Sequence, residues 1–359
     1  MSSPQPRPGI MQIQRYIGGK STLAGHKQVM KLSSNESALG PSPKAVAAYI
    51  EAAANMHRYP EGTSAELRAT LGRRFGLDPD RIICGAGSDE IIQFLVRGYA
   101  GPGDEVLYSQ YGFVMYPTAA LSVGATPVAA PERNFTTDVD ALLAHVTPRT
   151  RLCFLANPNN PTGTYLPTGE VERLRKGLRP DIILVIDAAY AEFVARNDYS
   201  PGVELVDRGD NVVMMRTFSK LYAMGGMRLG WAYCPPSVLD VLDRVRGPFN
   251  VSSAAQAAGV AALEDLSHAD RSRAHNDIWR PWLESELTAL GLGVVPSVGN
   301  FVLVDFTSKG GGAAANAHLN SCGIIPRALT NYGLPDHLRF TIGTEAEMRA
   351  VVAALAEYL

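Results

Sequence analysis

Arg216-Thr217-Phe218-Ser219-Lys220-Leu221-Tyr222-Ala223-Met224-Gly225-Gly226-Met227-Arg228-Leu229-Gly230 sets one lysine just behind two hydroxyl residues and eight positions ahead of an arginine. A lysine that bonds to a carbonyl carbon needs an amine kept partly neutral by desolvation or by neighbouring cations. Hydroxyls and an arginine suit a phosphate, and glycines let the main chain come close to it. An aldehyde and a phosphate on one small molecule describe pyridoxal 5'-phosphate (PLP). The same stretch could instead be a surface loop that ends in an arginine, so the rest of the chain has to discriminate.

Outward from this stretch, short apolar runs alternate with amphipathic ones over roughly residues 80 to 235, which predicts a mainly parallel α/β sheet. The runs Glu105-Val106-Leu107-Tyr108, Arg151-Leu152-Cys153-Phe154-Leu155, Ile182-Ile183-Leu184-Val185-Ile186 and Val212-Val213-Met214-Met215 read as strands. Thr168 to Leu178 between them carries apolar residues at helical spacing. Ligands of such sheets bind beyond the carboxyl ends of the strands, so the residues after each run carry the most weight. The last third differs. A strand pair, Gly299 to Asp305 and His337 to Ile342, brackets a Gly/Ala-rich stretch, and a terminal helix is expected from Thr344, capped with Glu347. The chain therefore divides into an N-terminal arm over 1–38, a large domain over 39–246 and a smaller α+β domain over 247–359.

Three strand ends bear on the ligand. Gly85-Ala86-Gly87-Ser88-Asp89-Glu90 joins the strand at Arg81-Ile82-Ile83-Cys84 to an apolar helix, whose free N–H groups can bind an anion. A plain helix cap is the alternative, and a dinucleotide fingerprint lacks its third glycine because Glu90 stands there. Asn157-Pro158-Asn159-Asn160-Pro161-Thr162-Gly163 is a rigid turn able to aim an amide. Asp187 closes the most apolar strand, where a carboxylate is costly unless paired. A pyridine nitrogen is one such partner, with Tyr190 three residues on; a helix cap is the plain reading. The seven histidines fall in no metal-binding spacing. A Ser219–Lys220 hydrolase pair is set aside because neighbours on a strand face opposite ways.

Taken in order, the chain resembles the fold-type I PLP-dependent aminotransferases, and among them most closely the histidinol-phosphate aminotransferases, from about residue 10 to its end. The resemblance rests on Lys31-Leu32-Ser33-Ser34-Asn35-Glu36, Leu39-Gly40-Pro41-Ser42-Pro43, Arg58-Tyr59-Pro60, Gly87-Ser88-Asp89-Glu90, Asn159-Asn160-Pro161-Thr162-Gly163, Asp187-x-x-Tyr190, Ser219-Lys220, Gly226-Met227-Arg228-Leu229-Gly230 and Tyr332-Gly333-Leu334-Pro335. It implies Lys220 as the residue that bonds the cofactor and shuttles the proton, and Asp187 at the pyridine nitrogen. Asn160 and Tyr190 would bond the phenolic oxygen. Main-chain N–H groups of Ser88 and Asp89, with Thr217, Ser219 and Arg228, would hold the phosphate. Phe113 or Tyr111 would stack on the ring. Tyr59 would reach the cofactor of a second subunit in a homodimer. Arg339 and Arg327 would clamp the anionic end of the substrate, with Tyr16 and Asn35 as further substrate contacts. The implied reaction is transamination between histidinol phosphate and 2-oxoglutarate, giving imidazole acetol phosphate and glutamate. The chain departs from the pattern at Ser37-Ala38, and at Pro326 and Ala328 around Arg327, positions near the substrate entrance. Rival readings are a phenylalanine or tyrosine transaminase, a decarboxylase of the same fold acting on an amino-acid phosphate, and a PLP-binding regulator.

Composition agrees with an enzyme. Of 359 residues, 46% are hydrophobic and 19% charged, and the net charge of −2 offers no footprint for nucleic acid. A regulator would need a basic DNA-binding segment, which the sequence does not carry. Cys84, Cys153, Cys234 and Cys322 are far apart, and three sit in apolar runs as reduced thiols do. Neither a secretory leader nor an apolar run long enough for a bilayer is visible, so a cytoplasmic location without membrane contact is expected.

Overall fold

The computed structural model describes residues 3–16 and 18–359; the first two residues of the expected arm, and residue 17, lie outside it. Seven strands form the main sheet in the order Ile82–Gly85, Gly230–Tyr233, Val212–Thr217, Ile183–Asp187, Thr150–Ala156, Glu105–Ser109 and Thr126–Ala130. Only Gly230–Tyr233 runs against its neighbours; the other pairs are parallel.

Helices cover both faces of this sheet, which is why its strands read as continuous apolar runs. Successive side chains go to opposite cores. Leu184, Ile186, Val212 and Met214 join one, while Ile183, Val185, Val213 and Met215 join the other.

A second, antiparallel sheet has the order Gly293–Val295, Phe301–Asp305, Leu334–Thr341 and Arg327–Leu329. Its core also takes Leu32 from the N-terminal region. Met30–Lys31 pairs in parallel with Ile324–Ile325, so the later part of the 1–38 segment is built into the smaller unit. The Gly/Ala-rich stretch forms the helix Gly311–Ser321. Thr344 begins the terminal helix with both halves of a capping box.

The packing divides the chain later than residue 247. Helix Ser253–Glu264 gives Ala255, Ala258, Ala262 and Leu263 to the first core. The long helix Leu266–Ala289 then carries Ala269 in that core and Leu283 and Leu287 in the core of the smaller unit. Composition alone did not register this, because an Ala-rich helix is equally at home in either unit. Among the described residues no helix is long and apolar enough to cross a membrane.

Candidate active site

Strands ending at Gly85, Ala156, Asp187 and Thr217 deliver their last residues to one edge of the main sheet. Gly230, first residue of the antiparallel strand, lies between Gly85 and Thr217 in register. A cavity of about 290 Å³ opens there. Of the residues that the sequence nominates, Ser88, Asp89, Phe113, Asn160, Asp187, Tyr190, Thr217, Ser219, Lys220, Arg228, Arg327, Arg339, Tyr16 and Asn35 all line it. Tyr59 does not. It is 83% exposed, stacks on Phe249 with ring centres 4.8 Å apart, and belongs to a separate hollow with Tyr49 and Met56. Tyr111 also lies off the cavity, packed beside Phe135, so that of these two rings only Phe113 lines it.

Lys220 is partly buried at the cavity wall, and its amine donates to the Ser34 carbonyl at 3.2 Å. Burial, and then the positive charge of Arg339, lower its pKa to about 8. A sizeable neutral fraction near neutral pH is what a nucleophilic amine requires.

Asp187 is buried too, and desolvation raises its pKa to about 6 against hydrogen bonds from Tyr116 and from the Ala189 N–H. The Tyr116 hydroxyl donates to Asp187 Oδ2 at 2.7 Å, and the Ala189 N–H donates to Oδ1 at 3.2 Å. A carboxylate held this way is stabilised by a cationic partner inside the cavity.

The anion cradle forms at the start of helix Ser88–Tyr99, with Gly87 at φ 83 in the cap position. A Cβ on Gly230 would overlap the Ser88 nitrogen, and one on Gly87 would overlap the Arg228 guanidinium. Only glycine permits that approach. Thr217 Oγ1 and Ser219 Oγ are 3.0 Å apart beside it. Arg228, itself at φ 54, reaches Asp89 Oδ2 at 3.2 Å and the Gly225 carbonyl at 3.1 Å. Glu90, where a dinucleotide loop would have glycine, accepts from the Ala86 N–H at 2.6 Å and from Asn250 at 2.7 Å.

Opposite the cradle, Arg339 is 5% exposed, donates to Asn160 Oδ1 and to the Ser33 carbonyl at 2.9 Å, and lies over the Phe301 ring. Arg327 is its direct cross-strand partner.

One expectation changes. The reason given against a Ser219–Lys220 pair assumed a strand, yet the strand ends at Thr217 and both residues line the cavity. What separates them is bonding: the Lys220 amine goes to Ser34, while Ser219 faces Thr217. Asn35 lines the cavity while 1% exposed, and its amide donates to the Tyr190 hydroxyl at 2.8 Å. Tyr116 and Tyr332 were missed as site residues. Tyr116 sits in an apolar stretch with no local signal, while Tyr332 opens the Tyr332-Gly333-Leu334-Pro335 motif. Among the described residues no group of three His, Cys, Asp or Glu side chains could hold a metal.

Fold and family together define an enzyme of the fold-type I architecture, with its cavity at the strand ends of the main sheet. The chain belongs to the aminotransferase class I and II family, whose model it matches over residues 27–355. It is 62% identical to a histidinol-phosphate aminotransferase of Paramagnetospirillum magneticum, over 100% of this chain and 99% of the relative. It is 59% identical to one of Rhodospirillum centenum, again over 100% and 99%. Among solved structures it resembles the histidinol-phosphate aminotransferase of Sinorhizobium meliloti in complex with pyridoxal-5'-phosphate. That match has a TM-score of 0.88 and 28% identity, and covers 99% of this chain and 98% of that one.

Proposed function

We propose that the protein transfers an amino group between histidinol phosphate and 2-oxoglutarate, giving imidazole acetol phosphate and glutamate, as a PLP-dependent step of histidine biosynthesis. The observation that carries the substrate is the Arg327–Arg339 pair. Arg327 and Arg339 are register partners on adjacent strands and both line the cavity, so one wall offers two positive charges to an anion. A phosphate dianion is such an anion, and it fits paired forks of N–H donors. The names of the close relatives support the same substrate.

The residues present fit the cofactor. A desolvated lysine, a buried carboxylate that favours a cation, and a glycine-built anion cradle stand on one cavity. Bound PLP supplies an electron sink for the charge left when a bond at the substrate's α-carbon breaks. Asp187 keeps the ring nitrogen protonated, and the hydroxyl of Tyr116 keeps Asp187 a carboxylate. Tyr190, oriented by Asn35, and Asn160, held by Arg339, are assigned to the phenolic oxygen. The Ser88 and Asp89 N–H groups, Thr217, Ser219 and Arg228 bind the phosphate, and Phe113 covers the ring. Lys220, within 5.6 Å of the Tyr190 ring centre, carries the proton to and from the α-carbon. Its lowered pKa suits both accepting and returning it at neutral pH. Tyr16 closes the substrate side.

We further propose a cytoplasmic homodimer. Val46, Tyr49, Ile50, Met56, Tyr59 and Phe249 form an exposed apolar face, more than a lone chain keeps in water without use. Tyr59 on that face would contact the cofactor of the second subunit.

The test is a half-reaction on the PLP-loaded enzyme. Histidinol phosphate, histidinol and phenylalanine are added separately while the visible absorbance of the lysine-bound cofactor is followed. Fast loss with histidinol phosphate alone supports the assignment; equal loss with phenylalanine would replace it with a broad aromatic transaminase. Lys220→Ala should remove both the absorbance and the turnover while the protein stays folded.

A further inference from the structure

Behind the cavity, and lining no part of it, lies an ion pair with little access to water. Arg216 Nε stands 3.3 Å from Glu192 Oε1, with the side chains 9% and 5% exposed. The Arg216 guanidinium lies over the Phe75 ring at 4.5 Å and the Trp231 ring at 5.7 Å. Arg273 donates to the Glu192 carbonyl at 2.9 Å from the far side. Both carboxylate oxygens of Glu192, and Arg216 Nε, are closed to solvent without a well-formed hydrogen bond. Burial pushes the Glu192 carboxyl upward in pKa, opposed first by Arg216.

Such a pair is a poor source of stability. Desolvation of two ions consumes most of the attraction, and apolar residues of similar volume often do as well or better. Its place in the chain supplies a different reason. Arg216 immediately precedes Thr217 on the strand that leads to Lys220, and its side chain points away from the cavity because neighbours alternate. Glu192 lies within the one-turn helix Ala191–Phe193, for which Tyr190 is the cap residue. The Phe193 N–H donates to the Tyr190 carbonyl at 3.1 Å, so the turn and Tyr190 move as one. The pair thus joins two separate backbone segments, each of which delivers one group to the reacting centre.

We propose that Arg216 and Glu192 are positioning residues for transamination, holding the turn of Tyr190 against the strand end of Lys220 so that hydroxyl and amine meet the cofactor in register. The inference rests on the roles proposed above for Lys220 and Tyr190. A turn of three residues has little stiffness of its own, and its backbone tie to the strand Val212–Thr217 lies upstream, where the Ala188 N–H donates to the Met215 carbonyl at 2.9 Å. A charge contact through the back of the site adds a second constraint beyond that point, and the stacked Phe75 and Trp231 rings fix the guanidinium plane.

The experiment compares wild-type holoenzyme with Glu192→Gln and with the double variant Arg216→Met/Glu192→Leu. Three quantities are read: melting temperature, the pH midpoint of the visible band of the lysine-bound cofactor, and the rate of the half-reaction with histidinol phosphate. The double variant should melt near wild type yet react up to about 100-fold more slowly, the penalty of displacing a reacting group by 1 Å. Its spectral midpoint should rise by about one unit, since a hydrogen bond to the charged phenolic oxygen is weakened. Glu192→Gln, with the shape kept and the charge removed, should shift the midpoint in the same direction. A folded double variant with unaltered midpoint and rate overturns the proposal. So does a double variant that fails to fold together with a Glu192→Gln enzyme of wild-type spectrum and rate. A wild-type enzyme without the visible band would instead overturn the roles of Lys220 and Tyr190 themselves.

Discussion

Tyr116→Phe tests the electrostatics of the site with almost no change in shape. The ring stacks on Phe154 at 4.6 Å and meets Phe113 edge-on at 5.9 Å; phenylalanine preserves both contacts. What disappears is one hydroxyl donating at 2.7 Å to the buried Asp187 carboxylate. Burial and the carboxylate hold the Tyr116 proton well above the ordinary phenol range, so this group is always a donor. A hydrogen bond to a charged group contributes about 1.5–3 kcal/mol, which corresponds to roughly one to two pKa units. The bond favours the charged form of Asp187, so its loss raises a pKa that is already about 6. At pH 7 the protonated share of Asp187 would grow from about a tenth to about a half or more.

In the proposed role a protonated Asp187 would no longer stabilise a proton on the pyridine nitrogen, so cofactor retention should fall as Asp187 becomes protonated at lower pH. The acid limb of retention, measured by dialysis at fixed pH and residual visible absorbance, should move to higher pH by about one unit or more in the variant. The cofactor-free chain shows the opposite sign. Because the folded pKa of Asp187 stands above its ordinary value of 3.8, its contribution to stability is fully present below that value and is lost as pH rises through about 6. Superimposable acid limbs for the two proteins would refute the reasoning and leave Tyr116 a packing residue.

Gly230→Ala should weaken retention of the cofactor and of inorganic phosphate, because a Cβ overlaps the Ser88 main chain and such overpacking costs about 1–3 kcal/mol; unchanged dissociation in equilibrium dialysis would contradict the cradle. Tyr59→Phe should weaken cofactor retention by about tenfold, the effect of one hydrogen bond, and full activity from a monomer in dilute solution would count against the shared site. Arg327→Gln should raise KM for histidinol phosphate by about ten- to a hundredfold through loss of a charged contact, and should spare the phenylalanine half-reaction. An equal loss on both substrates would remove the phosphate role.

The sequence by itself determined what depends on neighbours along the chain. Asp187 after an apolar strand, Lys220 behind Thr217 and Ser219, Gly87 before a helix and Thr344 with Glu347 each unite a local backbone signal with a local chemical one. Asp187, Thr217, Ser219 and Lys220 line the cavity, Thr344 and Glu347 cap the terminal helix, and the α/β layering followed from runs that must be covered on both faces. The tertiary structure alone decided what rests on register and on contacts between distant segments. Arg327 faces Arg339 because two antiparallel strands pair at that offset. Tyr116 meets Asp187 across 71 positions, and Asn35 meets Tyr190 across 155. Helix Ser253–Glu264 joined the first core, past the boundary expected from composition. The reason is physical: periodicity reports which face a side chain takes, whereas its partner on that face is set only when separate elements close on one another.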